Sequence, residues 1–287
     1  MKTPLRMILA IALSAGVVSA VAPVTAASAA DPLRYVALGD SYASAPLVPP
    51  ADRAEPACLR SLSDYPRVAA EALNAALTDV SCSGATVGHL STAQHRGVAP
   101  QYEALAPDTD IVSITLGGND SDLFGEALNC VNVLPQPHGT SCADKNTAGG
   151  GDRIRARIDA WAPAFGTALD EIARRAPHAG IFVVGYGNYF RPGGCYPDQP
   201  YWKKDADYLQ GAINHLGAVL RRTAEEHGAV FVDTFTPGIG HDTCAAPSDR
   251  WIEGVVPGRP AAPLHPNASG ARAVGNALAE AVRGRHT

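Results

Sequence analysis

The chain has 287 residues, 46% of them hydrophobic and 18% charged, and a formal net charge of −5. That balance excludes a basic nucleic-acid surface, so no nucleic-acid partner is expected, and it supplies enough apolar residues for a sizeable core. No basic run and no internal repeat is present.

In chain order, the first feature is Met1-Lys2-Thr3-Pro4-Leu5-Arg6, followed by an apolar run from Met7 to about Val24 and then Ala26-Ala27-Ser28-Ala29-Ala30-Asp31. A basic start, an apolar middle and a small-residue tail predict a secretory signal peptide, cleaved after Ala29 or Ala30. Residues 1–30 are therefore assigned to the signal, residues 31–287 to a single domain, and the protein is expected to be secreted (extracellular). No later stretch is long and apolar enough to span a bilayer. The six cysteines, Cys58, Cys82, Cys130, Cys142, Cys195 and Cys244, all lie in the exported part. An even count in a secreted chain reads as three disulfides, though spacing alone does not choose the connectivity. A metal site is a poor alternative because no Cys-x-x-Cys pair exists.

Arg34 to Leu38 reads as a buried strand ending at Gly39. Tyr65 to Asn74 reads as a helix, with Asp64 as N-cap and Pro66 in its first turn. Further strands are expected at 79–82, 110–116, 180–184 and 229–232, and long helices at 153–175, 204–227 and 268–282. Segment 121–151 lacks periodicity and reads as a long loop, pinned by Cys130 and Cys142, that walls a pocket. Segments 42–62 and 192–201 are expected to supply further walls. Strands alternating with long helices predict an α/β fold: a three-layer α/β/α sandwich around a flavodoxin-like parallel sheet of about five strands. In such sheets ligands bind beyond the carboxyl ends of the strands.

Four short motifs stand at those ends: Gly39-Asp40-Ser41-Tyr42, Ser83-Gly84-Ala85, Gly117-Gly118-Asn119-Asp120 and His265-Pro266. Ser41 is a candidate nucleophile, and its own N–H is a candidate oxyanion donor if a helical turn begins there. Gly84 can offer a backbone N–H and Asn119 a side-chain amide to the same oxyanion. Asp40 and Asp120 read as organisers of their turns. His265 is the candidate general base; His241, in Gly240-His241-Asp242, is its chief competitor. Together these groups are the minimum equipment for acyl transfer through a serine ester.

The four motifs resemble the SGNH hydrolases, also called GDSL lipases and esterases, and in particular their secreted actinobacterial branch. The resemblance spans roughly Arg34 to Arg283. Carried over motif by motif, it implies Ser41 and His265 as catalytic residues and Ser41, Gly84 and Asn119 as the oxyanion hole. It also implies sequential disulfides: Cys58–Cys82, Cys130–Cys142 and Cys195–Cys244. One position departs from the family, which usually carries an Asp three residues before the His; here Ala262 stands there. A dyad is therefore expected, with the Ala262 backbone carbonyl orienting His265. Asp249 and Glu253 are the carboxylates that could otherwise complete a triad.

The function so implied is a secreted carboxylic-ester hydrolase acting on acylglycerols or related lipid esters, with no metal and no organic cofactor. A small-molecule or lipid ester is the expected partner, along with a transient contact at a lipid interface, and the protein is expected to be monomeric. Phospholipase A or carbohydrate O-deacetylase activity on the same site is the alternative. A catalytically idle secreted binding protein is the alternative of another class.

Overall fold

The computed structural model describes residues 31–285. The predicted signal peptide lies outside the described residues. Residues from Pro32 onward form one compact unit.

Five strands, β1 (Arg34–Gly39), β2 (Ala76–Asp79), β3 (Ile111–Thr115), β4 (Gly180–Val184) and β5 (Val230–Val232), form one sheet in the order β2-β1-β3-β4-β5. All four pairings are parallel. This is the flavodoxin-like order, whose topological switch point lies between β1 and β3. The central strands are apolar on both faces, as a sheet covered on both sides requires. The helices, in chain order, are α1 (Ser41–Ser44), α2 (Tyr65–Leu73), α3 (Leu123–Asn129), α4 (Cys142–Thr147), α5 (Arg153–Arg175), α6 (Lys203–Glu226) and α7 (Ala268–Arg285). Val36, Leu38, Val112, Ile114, Ile181 and Val183 pack on α5 and α6. Tyr35, Ala37, Ile111, Phe182 and Val184 pack on α2 and α7. The alternation of side chains along each strand thus sorts one sequence into two cores.

Most predicted elements lie within a residue or two of these bounds. Asp64 accepts the Arg67 N–H at 3.0 Å and caps α2, and Asp152 accepts from the Ile154 and Arg155 N–H groups at the start of α5. Each such cap is worth about 0.5–2 kcal/mol. Two expectations fail. The second strand lies at Ala76–Asp79, not 79–82, because Asn74 ends α2 in the left-handed region (φ 51°) and turns the chain straight into the sheet. Beyond β2 the chain still follows β1: Val80 donates to the Ala37 carbonyl at 2.9 Å and Cys82 to that of Gly39 at 3.0 Å. Segment 121–151 is not a bare loop, since it holds α3 and α4. Helices of under two turns leave almost no periodic signal. Their anchors are tertiary: Glu126 takes hydrogen bonds from Arg157 (2.8 Å) and Asn146 (3.1 Å), and a disulfide joins Cys130 to Cys142. The other two bridges are Cys58–Cys82 and Cys195–Cys244.

The end of β1 is closely packed against β3 and α1. Gly39 has φ 147°, and a Cβ there would lie 2.9 Å from the Thr115 carbonyl oxygen and 3.0 Å from the Ala43 Cβ. Gln101 clamps its backbone from the side, accepting the Gly39 N–H at 2.8 Å and donating to the Gly39 carbonyl at 2.9 Å. Gly39→Ala should therefore cost about 2 kcal/mol or more through backbone strain and overpacking, lowering Tm by roughly 5 °C in a chain of this size. Thermal unfolding followed by circular dichroism measures it; a Tm within about 1 °C of wild type would show that the turn relaxes freely.

Candidate active site

Ser41 is the first residue of α1, directly after β1. Asp40 caps that turn, its Oδ1 accepting the Tyr42 N–H at 2.8 Å, while the Asp40 N–H is held by the Thr115 carbonyl of β3 at 3.0 Å. As first residue of a helical turn, Ser41 has an N–H that makes no intrahelical bond, and it finds no other protein acceptor among the described residues.

Gly84 (φ 83°) follows the stretch that tracks β1. It is seated beside α1 by a Ser44–Ser83 hydroxyl hydrogen bond of 2.9 Å and by the Gln94 amide on the Ser83 carbonyl at 2.7 Å. Its N–H likewise donates to no protein acceptor among the described residues. Asn119 follows β3, and one hydrogen of its amide goes to the Ala85 carbonyl at 2.9 Å. The second hydrogen of that NH₂ remains for a ligand. Asp120 meets its own backbone N–H and also reaches beyond its turn. It accepts the Val87 N–H at 2.9 Å and so ties the loop after β3 to the loop carrying Gly84.

His265 approaches from the loop before α7. Asn267 anchors that loop: its Oδ1 accepts the Ser269 and Gly270 N–H groups at the start of α7, and its Nδ2 donates to the Arg250 carbonyl and to Glu253 Oε1, each at 2.7 Å. His265 Nε2 then lies 2.7 Å from Ser41 Oγ. Nδ1 lies 2.7 Å from the Pro263 carbonyl oxygen. The expected orienting carbonyl of Ala262 is therefore corrected to that of Pro263. Leu264, at φ 60°, turns the chain back, and the Ala262 carbonyl is taken by the His265 backbone N–H at 3.2 Å. With Nδ1–H donating to Pro263, Nε2 is left as the acceptor for the serine proton. Burial holds the ring below the usual histidine range, opposed by the hydrogen bond to Pro263.

Neither candidate carboxylate reaches Nδ1. Glu253 is fully buried, and its oxygens accept from Asn267, Arg250, and the Gly258 and Arg259 N–H groups. Asp249 is exposed, and its backbone carbonyl pairs with the competing histidine, His241, which stacks on Trp251 at 4.0 Å and does not line the cleft that holds Ser41.

Ser41, Asn119 and His265 open into one cleft. Its walls are largely apolar: Leu123, Phe124 and Ala127 from α3, Leu209 and Ile213 from α6, and Leu264. Phe124 packs against the His265 ring at 5.3 Å. Gly84 is not among the residues that line the cleft. Segment 42–62 supplies only Tyr42 and segment 192–201 nothing; Tyr186, Tyr189 and Phe190, after β4, take the expected place. Among the described residues no group of three or more His, Cys, Asp or Glu side chains could hold a metal.

Sequence reasoning missed Tyr186, Gln101, Phe124 and the Pro263 carbonyl. Tyr186 alone had a readable signal, since Gly185-Tyr186-Gly187 follows a strand end as the other motifs do.

A model of the GDSL-like lipase/acylhydrolase family matches residues 37–273. The chain belongs to that family. Lipase 2 of Streptomyces coelicolor is 40% identical over 91% of this chain and 89% of its own length. Two crystal structures superpose with a TM-score of 0.72: an extracellular lipase from Streptomyces rimosus, 28% identical over 87% of this chain and 99% of that one, and a phospholipase A1 from Streptomyces albidoflavus, 24% identical over 88% and 99%. This GDSL lipase/esterase is accordingly a carboxylic-ester hydrolase, and its substrates are small-molecule esters.

Because Nδ1 rests on a backbone carbonyl, Glu253→Gln should lower kcat less than about tenfold. Loss of a true triad carboxylate costs about 10⁴ in a serine protease. The same variant should lose thermal stability, since it weakens a buried ionic network. Steady-state kinetics with a melting curve checks both; a thousandfold loss of kcat in a folded sample would place Glu253 in a triad.

Proposed function

We propose that this enzyme is a secreted lipase or esterase that forms an acyl-enzyme on Ser41 from esters with apolar acyl chains, acylglycerols among them. The observation that carries the reading is the 2.7 Å Ser41–His265 pair opening onto an apolar cleft. His265 Nε2 takes the Ser41 proton as Oγ attacks the ester carbonyl. The developing oxyanion is held by the Ser41 N–H, the Gly84 N–H and the Asn119 amide, donors that gain strength as charge accumulates on oxygen. His265 then protonates the leaving alkoxide, and water repeats the sequence to release the acid. The imidazolium is stabilised by the Pro263 carbonyl, which is neutral and therefore weaker than a carboxylate.

The cleft walls favour acyl chains over acetylated sugars, whose hydroxyls would find almost no partners among Leu123, Phe124, Leu209 and Ile213. Secretion is supported by the leader-like first thirty residues and by three disulfides, which persist in oxidising compartments. Among the described residues no helix is long and apolar enough to cross a membrane. A single domain over 31–287, acting as a monomer, completes the reading. A transient lipid contact fits exposed Phe124 and Leu128 on α3 and Val133 and Leu134 just beyond it, beside the cleft.

The test is a panel of nitrophenyl esters of increasing chain length, run beside acetylated xylan. Activity should rise from acetyl toward medium-length chains and be negligible on xylan, and Ser41→Ala should remove at least about a thousandfold of it with Tm unchanged. Preference for acetylated xylan would overturn the substrate class, and residual activity above a few per cent would overturn the nucleophile.

Neutral His265 is the reactive form, and burial lowers its pKa, so the acid limb that His265 sets in kcat/KM should be shifted below the ordinary histidine value. The acid limb should have its midpoint below about 6.5. Asp40, which burial pushes up to about 7, could add a second limb, and Asp40→Asn separates the two. An acid-limb midpoint above 6.5 in that variant would contradict the buried, neutral histidine.

A further inference from the structure

Tyr186 stands where three parts of the site meet. It follows β4, lines the cleft, and its ring meets Tyr42 edge-on at 5.2 Å and 63°. Its hydroxyl donates to Asp40 Oδ2 at 2.5 Å and accepts the Gly118 N–H at 3.0 Å. Asp40 precedes Ser41 in the chain, and Gly118 precedes Asn119. The other Asp40 oxygen holds the Tyr42 N–H at 2.8 Å, so one carboxyl spans the serine and reaches the tyrosine.

We propose that Tyr186 is a positioning residue of the oxyanion hole: its hydroxyl, bonded to both Asp40 and Gly118, sets the separation between the Ser41 and Asn119 donors. The proposal rests on the reading of Ser41 as nucleophile and Asn119 as donor.

Both bonding capacities of the hydroxyl are used, its one hydrogen toward β1 and a lone pair toward the loop after β3. Those two strands flank the switch point, and Ser41 and Asn119 follow their ends. Without a brace, the loop after β3 would hold Asn119 through the Ala85 carbonyl alone on its side-chain end. The glycine at 118 fits this role: a Cβ there would lie 3.0 Å from the Tyr186 hydroxyl oxygen and push it off the N–H. Tyrosine also suits the cleft, presenting an apolar ring to substrate while its polar end stays inside. Displacement of an oxyanion donor by about 1 Å is enough to cost roughly 10²-fold in rate.

Tyr186→Phe keeps the ring and removes only the brace. On a nitrophenyl ester of fixed chain length, kcat should fall about 10- to 100-fold with KM changed less than about threefold. Inactivation by a nitrophenyl alkylphosphonate, whose adduct places an oxygen in the same hole, should slow by the same factor as kcat/KM. Tyr35→Phe removes a buried hydroxyl bond to Ser113 (2.6 Å) at the far end of β1 and should leave kcat within about twofold. Asp40→Asn keeps an acceptor for the tyrosine and should retain clearly more activity than Asp40→Ala. A Tyr186→Phe enzyme with kcat within twofold of wild type, or with the whole loss in KM, overturns the proposal. Should that variant not fold, equal kcat in Asp40→Asn and Asp40→Ala overturns it instead. Failure of the nucleophile reading is separate: it would appear as phosphonate labelling of a residue other than Ser41.

Discussion

The 2.7 Å hydrogen bond between Ser41 and His265 joins residues 224 positions apart, and the tolerance of that one contact constrains the rest of the molecule. A few tenths of an ångström would loosen it, so both partners must be held on rigid supports. Ser41 is fixed because Gly39 lets β1 end directly against Thr115 of β3, and because Asp40 caps the turn that follows. His265 is fixed because Asn267 caps α7 with one end of its amide and holds Arg250 and Glu253 with the other. A buried carboxylate at Glu253, costly by itself, is compensated by four donors and thereby stiffens the loop that carries the base.

In the proposed mechanism the histidine operates without an acidic partner, because Nδ1 meets a backbone carbonyl. A carboxylate at Nδ1 would orient the ring and stabilise its cation. The Pro263 carbonyl orients it equally well but stabilises the cation less, and burial further disfavours charge. In the proposed mechanism this favours the neutral ring that accepts the serine proton, and it leaves more of the transition-state stabilisation to the proposed oxyanion donors. The loop that carries Asn119 is braced accordingly: Asn119 by Ala85, Asp120 by Val87, Gly118 by Tyr186.

The core elements were legible because local physics decided them. Arg34–Gly39 is an apolar run ending at glycine, Ile111–Thr115 is a β-branched run that Gly117 follows after Leu116, and α5 carries its own cap at Asp152 and a long amphipathic repeat. Segment 121–151 was not legible, since α3 and α4 are too short to show a period and are held by Glu126, Arg157 and a disulfide. The strand before Gly84 was misplaced by three residues because Val80 and Cys82 look like strand and hydrogen-bond to β1, while Asn74 begins the turn earlier.

By itself the sequence determined the chain order of the five strands and of α2, α5, α6 and α7, the cysteines available for pairing, and the four motifs carrying Ser41, Gly84, Asn119 and His265, because each follows from residue chemistry within a few positions. Only the tertiary structure decided that Pro263 rather than Ala262 faces the histidine, that Glu253 turns away to Arg250 and Asn267, and that Tyr186 ties Asp40 to Gly118. Those outcomes depend on loop direction and on contacts across the sheet. A left-handed Leu264 or a hydroxyl meeting a backbone 68 residues away leaves no periodic or compositional trace in the chain.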